Sequence, residues 1–299
     1  MKSNEVYSFG VIATSSLYLI EHDYPDKAGY AEIKTKYKNI GGEAANSSIV
    51  LARLGVKVKI DGNWINPDDD AEFFKDVFNT HEIDISRISY RKCQGPKEMV
   101  VVDANSRTIF GTYGQLMEEK SWNIPKKTDI EKADVVCLDP FFGEASLRVA
   151  ELAKLCKKPV VTVDVKFDDP IFLASSIVII SEEFLRDKYP GQKTETLIRS
   201  YHKHTQGTVI VTFGDKEIYY ASQGEKLAKT KPYNIKPVDT AGAGDSFRAG
   251  LIYGTLKHWP IVKCIEFASA LAAMVCQSSP GVLNSPSYKK VESFMREYK

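Results

Sequence analysis

Chemistry is densest in the stretch Val238-Asp239-Thr240-Ala241-Gly242-Ala243-Gly244-Asp245-Ser246-Phe247, a glycine-punctuated turn with an acid at each end that runs into an apolar helix. Two glycines flanking an alanine let the main chain approach a ligand closely. The helix that follows aims unpaired N–H groups and a partial positive charge at whatever sits there, which makes an anion site. Asp245 lies at the mouth of the same helix, so a carboxylate and an anion-binding nest share one small space. Transfer of a phosphoryl group to a hydroxyl needs both parts. Asp is also a favoured N-cap residue, and a generic G-x-G-D turn reads as structural more often than not. Here the nest extends to Asp-Thr-x-Gly-Ala-Gly-Asp, backed by a helix with the small residues Ala249, Gly250 and Gly254. Few purely structural turns need so many constraints together.

The elements that must position this turn follow from periodicity. A β-rich run over 6–12 ends near the small polar residues Thr14, Ser15 and Ser16. Over 30–40, Ala31, Ile33, Thr35 and Tyr37 alternate with Glu32, Lys34, Lys36 and Lys38, the period-2 pattern of a strand with one wet face. Gly41-Gly42-Glu43-Ala44-Ala45-Asn46 opens a helix through Leu54 that Gly55 closes. A strand over 56–60 and a helix over 69–79 begin a βα rhythm, which strand-like runs at 99–102 and 108–113 around the turn 103–107 interrupt as a hairpin. Strands at 135–138, 160–163, 177–180 and 209–213 alternate with helices near 144–156 and 194–204, and short Val/Ile runs between helices imply a parallel sheet covered on both faces. Helices follow from 245 to 256 and from 261 to 277, the second apolar nearly all round.

Composition limits the partners. With 40 basic and 39 acidic residues, net charge +1 and 43% apolar content, the chain is an ordinary globular one with no signature of a nucleic-acid or membrane partner. No apolar run approaches the roughly 20 residues of a membrane span. Residues 1–5 lack the basic and apolar regions of a secretory signal. The five cysteines, Cys93, Cys137, Cys156, Cys264 and Cys276, are odd in number and widely spaced, so they read as reduced thiols and the expected location is cytoplasmic.

The string Asp239 to Phe247 resembles the second signature of the ribokinase-like, or phosphofructokinase-B type, sugar kinases. Gly41-Gly42-Glu43-Ala44-Ala45-Asn46 through Leu54-Gly55 resembles the other. The resemblance covers the whole chain, 1–299, and implies a three-layer α/β/α fold with a central, mostly parallel sheet and a small β lid built from insertions at about 14–40 and 88–116. Asp23-Tyr24-Pro25, Gly41–Ser47, Asn105-Ser106-Arg107-Thr108-Ile109 and Ser181-Glu182-Glu183 look closest to the ketohexokinase branch.

Carried over residue by residue, the family implies that Asp245 takes the proton of an attacking sugar hydroxyl while N–H groups of Gly242, Ala243 and Gly244 hold the migrating phosphoryl charge. ATP and Mg²⁺ are the implied cofactors, with a monovalent cation (K⁺) held in many relatives by the backbone around this signature. Gly41, Gly42 and Asn46 would meet the sugar, with Asp139 near the sugar or metal and Arg107 a basic lid residue near the phosphates. Asp239 and Thr240 would sit beside the phosphates, Ser181, Thr212 and Gly214 on the nucleotide side, and Ala272 and Cys276 against adenine. Each has a plainer reading: Asn46 as a cap, Asp-Pro as a turn starter, Arg107 as a solvated hairpin residue, and the helix around 272–276 as core.

Departures bear on the substrate. The family usually places an Asp shortly after the first strand to bind two sugar hydroxyls, and this chain offers Ser15 or Ser16. A neutral hydrogen bond contributes about 1 kcal/mol where a charged one contributes roughly 1.5–3. Glu43 could supply a carboxylate from another direction or merely favour the helix N-terminus. Ser181-Glu182-Glu183-Phe184 replaces the Asn-x-x-Glu used by many relatives near Mg²⁺, and Asp164 to Asp168 departs as well, so no metal ligand is assigned. The leading expectation is an ATP-dependent kinase for a primary hydroxyl of a ketohexose-like sugar. A nucleoside or sugar-acid kinase of the 2-keto-3-deoxygluconate type, or a catalytically quiet binding relative, are the alternatives. A lid with an exposed apolar face would be covered by a second copy, so a homodimer is expected.

Overall fold

The computed structural model describes residues 5–103 and 107–298. In chain order its elements are β1 (Val6–Gly10), β2 (Ala13–Ile20), β3 (Ile33–Gly41), α1 (Glu43–Arg53), β4 (Val58–Gly62), α2 (Asp69–Thr80), β5 (Lys97–Val102), β6 (Arg107–Gly111), α3 (Gly114–Glu119), α4 (Lys127–Glu131), β7 (Val135–Leu138) and α5 (Glu144–Leu155). These are followed by β8 (Val160–Val163), α6 (Pro170–Ala174), β9 (Ile177–Ser181), α7 (Glu182–Lys188), α8 (Thr194–His204), β10 (Thr208–Thr212), β11 (Ile218–Ser222), β12 (Ala228–Thr230), α9 (Ala243–Leu256), α10 (Ile261–Cys276) and α11 (Tyr288–Glu297).

An eight-stranded sheet of order β12-β11-β10-β9-β8-β7-β1-β4 forms the centre. It is parallel from β10 through β4 and antiparallel at β10–β11 and β11–β12. Alternate residues of each strand enter opposite cores: Val135 and Cys137 join Ile177, Ile179 and residues of α1, α9 and α10, while Val136 and Leu138 join Val178, Ile180 and residues of α5 and α8. That division is why the strands read as continuous apolar runs: both faces are covered. The three layers and the parallel sheet agree with the expected ribokinase-like fold. β1 has β4 on one side and β7 on the other, so the chain reverses its direction of travel across the sheet there. Open α/β sheets bind ligands beyond the strand ends at such a switch point.

A separate four-stranded sheet, β3-β2-β5-β6, makes the lid. Its inner face carries Leu17, Val100 and Val102, which pack with Ala241 of the glycine turn. Thr35 and Tyr37 of β3 are half-buried and Lys34, Lys36 and Lys38 exposed, as the alternation required, but Ile33 of the same set is 51% exposed at the start of the strand and Ala31 precedes it. Two local expectations are corrected. Thr14, Ser15 and Ser16 do not end the first strand; β1 stops at Gly10 and these residues lie within lid strand β2. The helix after the glycine turn starts at Ala243, two residues early, with Gly242 as its left-handed N-cap. Of the expected hairpin turn, Ala104, Asn105 and Ser106 lie outside the described residues. Among the described residues, no helix is long and apolar enough to cross a membrane.

Candidate active site

Two helix N-termini meet at the switch point, α1 after the Gly41-Gly42 turn and α9 after the Gly242 turn. Both N-caps are glycines at positive φ, 86° for Gly42 and 76° for Gly242, and both have close neighbours. A Cβ on Gly42 would strike the Val11 carbonyl, and one on Gly242 would strike Val282, so neither position tolerates a side chain. By contrast the Cβ position of exposed Gly244 faces open space. The first-turn N–H groups of α9 therefore border the cleft and carry the positive end of its dipole.

Side chains sew the two helices together. Asn46 Nδ2 donates to Asp245 Oδ2 at 2.8 Å. Ser47 Oγ donates to the Asp245 carbonyl at 3.1 Å and accepts from Arg248 Nε at 3.0 Å. Asn46 Oδ1 is buried with no partner among the described residues, an acceptor held ready beside the carboxylate. Desolvation pushes the half-buried Asp245 up to about 6, against the lowering effects of Arg248 and the Asn46 hydrogen bond. A carboxyl that titrates near 6 is ionised at neutral pH yet basic enough to take a proton.

Behind this pair lies a buried ion pair that the sequence did not announce. Arg248, one helical turn after Asp245, is fully buried and donates from Nη1 to Asp139 Oδ1 at 2.6 Å. The other oxygen of Asp139 accepts from Val11 N at 2.8 Å and Ala44 N at 3.0 Å. Gly10 is required here, since a Cβ would overlap Asp139 Oδ2 at 2.0 Å. Asp139, expected to face the sugar or metal, thus has no exposed surface and uses both oxygens on the frame. It ties the end of β7 to the start of α1 and to α9. Its one sequence signal was Arg248 itself, a second charge one turn after Asp245 in a helix whose remaining interior is apolar and small.

Asp239 is also internal, 1% exposed, with its carboxylate accepting from Ala241 N at 2.8 Å and Ser279 Oγ at 3.2 Å. It shapes the turn instead of lying along it. Thr240 receives the lid's Arg107, whose Nη1 donates to the Thr240 carbonyl at 2.8 Å and to its hydroxyl at 2.9 Å. On the far side, Ser181 and Thr212 are register partners at the ends of β9 and β10, and Gly214 follows at φ 62°. Ser181 caps α7 through Phe184 N and donates to Asp164 Oδ2 at 3.0 Å. Cys276, at the end of α10, accepts Val238 N and Asp239 N on its carbonyl, so α10 buttresses the turn directly. Ser269, Ala272 and Cys276 lie at i, i+3 and i+7 on one stripe of α10. That stripe leads from the turn to a cavity of about 500 Å³ lined by Ser269 with Tyr220, Lys231, Tyr233 and Tyr298. Among the described residues no three His, Cys, Asp or Glu side chains cluster as metal ligands.

Gly41, Gly42, Asn46, Asp245 and Gly242–Gly244 are brought to one place. Ser15 reaches the same place from β2, and Arg107 closes over the turn from β6. Four residues that the sequence reading passed over join them: Ser47, Arg248, Glu98 on β5, and Tyr113. Glu98 stood out only as an acid next to Met99-Val100-Val101-Val102; Tyr113 carried no signal at all.

A model of the pfkB family of carbohydrate kinases matches residues 11–287. The 5-dehydro-2-deoxygluconokinase of Clostridium beijerinckii is 27% identical, with 90% of this chain and 87% of the relative covered. The nucleoside kinase of Methanocaldococcus jannaschii is 23% identical over 100% of this chain and 99% of its own. In structure, Arabidopsis thaliana ribokinase complexed with ribose and ATP superposes with a TM-score of 0.81 at 20% identity, covering 99% of each chain.

Proposed function

Because this chain belongs to the pfkB family of carbohydrate kinases, we propose that it transfers the γ-phosphoryl group of ATP to a primary hydroxyl of a sugar acid of the keto-deoxygluconate type. The observation that carries the reaction is Asp245 at the mouth of α9, hydrogen-bonded by Asn46 beside an open, glycine-built helix N-terminus. Asp245 Oδ takes the proton as the hydroxyl oxygen bonds to the γ-phosphorus, the bond to the bridging oxygen breaks, and ADP leaves. The N–H groups of Gly242 and Gly244 stabilise the charge that grows on the phosphoryl oxygens, while that of Ala243 donates to the Thr240 carbonyl at 3.3 Å.

The residues present fit a nucleotide. Main-chain donors border open space at Gly244, and the α10 stripe from Cys276 to Ser269 rises about 10 Å toward the aromatic cavity. Phosphates at the turn and a base against Ala272 would span that distance, with Thr212 and Gly214 on the other wall. Bound ATP supplies the phosphoryl group, and Mg²⁺ would neutralise its oxygens. With no cluster of ligand side chains among the described residues, the nucleotide itself and water would contribute most of the metal's ligands.

For the acceptor, the ketohexose expected from the sequence gives way to the sugar acid. Similarity over nine-tenths of the chain to 5-dehydro-2-deoxygluconokinases, together with a serine where the sugar-binding aspartate was expected, supports that alternative, and these relatives do not bear out the likeness of four short segments to the ketohexokinase branch. A nucleoside acceptor is the second reading, favoured by the end-to-end similarity to the archaeal nucleoside kinase. ADP release measured with 5-dehydro-2-deoxygluconate, 2-keto-3-deoxygluconate, fructose, ribose and nucleosides decides between them. Turnover with nucleosides alone, or with fructose alone, rejects the sugar-acid assignment.

The pH dependence follows from Asp245. As a raised carboxyl it is protonated, and useless as a base, below its own value of about 6. The expected profile of kcat/KM is a plateau above pH 7 and a tenfold fall per pH unit below about 6. A profile flat from pH 5 to 8 would show that another group takes the proton.

We also propose a homodimer through the lid. Met99 and Phe110, register partners on its outer face, are 42% and 45% exposed. An exposed apolar sheet face favours a second copy. Light scattering should give twice the chain mass of 33.4 kDa, and a Met99→Lys, Phe110→Lys variant should give the monomer. A monomeric wild type would refute the dimer.

A further inference from the structure

Across the inner face of the lid, Asn39, Ser15, Glu98 and Gly111 are successive register partners on β3, β2, β5 and β6. Residues opposite one another in a sheet share a face, so these form one polar row. Two glycines make room for Glu98. At Gly111 a Cβ would overlap the Tyr113 ring, and its absence lets the Tyr113 hydroxyl reach Glu98 Oε1. At the substrate-side loop a Cβ on Gly41 would lie 2.1 Å from Glu98 Oε2, so the carboxylate rests on the bare main chain of the Gly41-Gly42 turn. Burial raises the Glu98 carboxyl above the usual carboxylate range, and Tyr113, the Gly42 N–H and Ser15 beside it work against that rise.

We infer that Glu98 is the carboxylate with which this chain grips the hydroxyls of its phosphoryl acceptor, delivered from the lid and not from the segment after β1. The inference rests on the kinase reading above and specifies its acceptor site. A carboxylate can accept about four hydrogen bonds, and the Tyr113 hydroxyl takes one of them on Oε1, which leaves acceptor positions for a ligand. Asn39, 6% exposed in the same row, has a buried Oδ1 with no partner among the described residues, and Asn46 Oδ1 is in the same condition across the cleft. All three offer lone pairs to this space. Hydroxyls of the acceptor can donate to them, which places its hydroxyl-bearing carbon chain here and an acid's carboxylate at its other end. Asp245 feels the Glu98 charge, which raises it further, so the two carboxylates border one space. Ser15 keeps a place beside Glu98 as its register partner.

The test compares the wild type with Glu98→Gln and Tyr113→Phe, using the panel compound that turns over best and its monodeoxy analogues. Replacing the carboxyl acceptor by an amide of the same shape is expected to raise the acceptor KM about 10–100-fold, leave the KM for ATP within about twofold, and lower kcat by less than about threefold. Tyr113→Phe is expected to raise the acceptor KM in the same direction by less. The signature of a hydroxyl contact is selectivity: one monodeoxy analogue that the wild type discriminates against should be used by Glu98→Gln as well as the parent compound. An unchanged acceptor KM, or an equal loss against every analogue with no change in selectivity, overturns the assignment to Glu98 alone. A wild type that neither turns over nor is thermally stabilised by any panel compound overturns the kinase reading and this assignment with it.

Discussion

Asp245→Asn is expected to lower kcat by about 10²–10⁴-fold, the usual range for removing a general base. The variant keeps an oxygen that can accept from Asn46 Nδ2, so the bond between α1 and α9 survives. Its stability gives an independent check. The folded-state value of Asp245 is pushed up to about 6 from 3.8, with desolvation the largest cause. A native state that holds the proton more tightly than the unfolded chain loses stability as pH rises through that window, and ionised Asp245 is a net cost above it. The neutral asparagine is therefore expected to melt no lower than wild type at pH 8, while barely turning over. Full activity in a folded variant would remove Asp245 from the chemistry; an unfolded variant would reassign it to the frame.

Arg248→Met should produce the largest loss of stability from any single change in the frame, about 3–5 kcal/mol in urea unfolding. The Asp139 carboxylate would be left fully buried with two main-chain donors and no cation. Removing both charges, with Asp139→Asn added, is expected to recover part of the loss, because the stranded charge and not the missing pair is what costs most. Activity supplies the second readout. Arg248 lowers the value of Asp245, so its loss should move the acid limb of the kcat/KM profile above pH 6. A cost below about 1 kcal/mol, or an unmoved limb, would mean that Asp139 finds other compensation.

The contrast between these two residues shows what a sequence can disclose. Asp245 was legible because its setting is local: glycines, a helix start and a carboxylate within nine residues make one anion-binding unit. The parallel sheet was legible for a similar reason, since burial on both faces writes itself as uninterrupted Val/Ile runs. Small elements escaped. The five-residue helices α4 and α6 and the three-residue strand β12 are too short for any period to show, and their packing holds them in place.

The sequence by itself determined the anion nest with its carboxylate and the covered parallel sheet, because each depends on residues adjacent in the chain or on a repeating pattern; the cofactors and the lid came with the resemblance that those motifs carry. Only the tertiary structure decided which acid does what. Asp139 and Asp239 are drawn inside by partners 109 and 40 residues away, and their burial makes them frame. Glu98 and Asn39 are turned to the cleft only because two strand pairings put them in one row with Ser15. A carboxylate's role follows from whether its oxygens meet donors of the protein or are left for a ligand, and that accounting can be made only once distant segments share the same space.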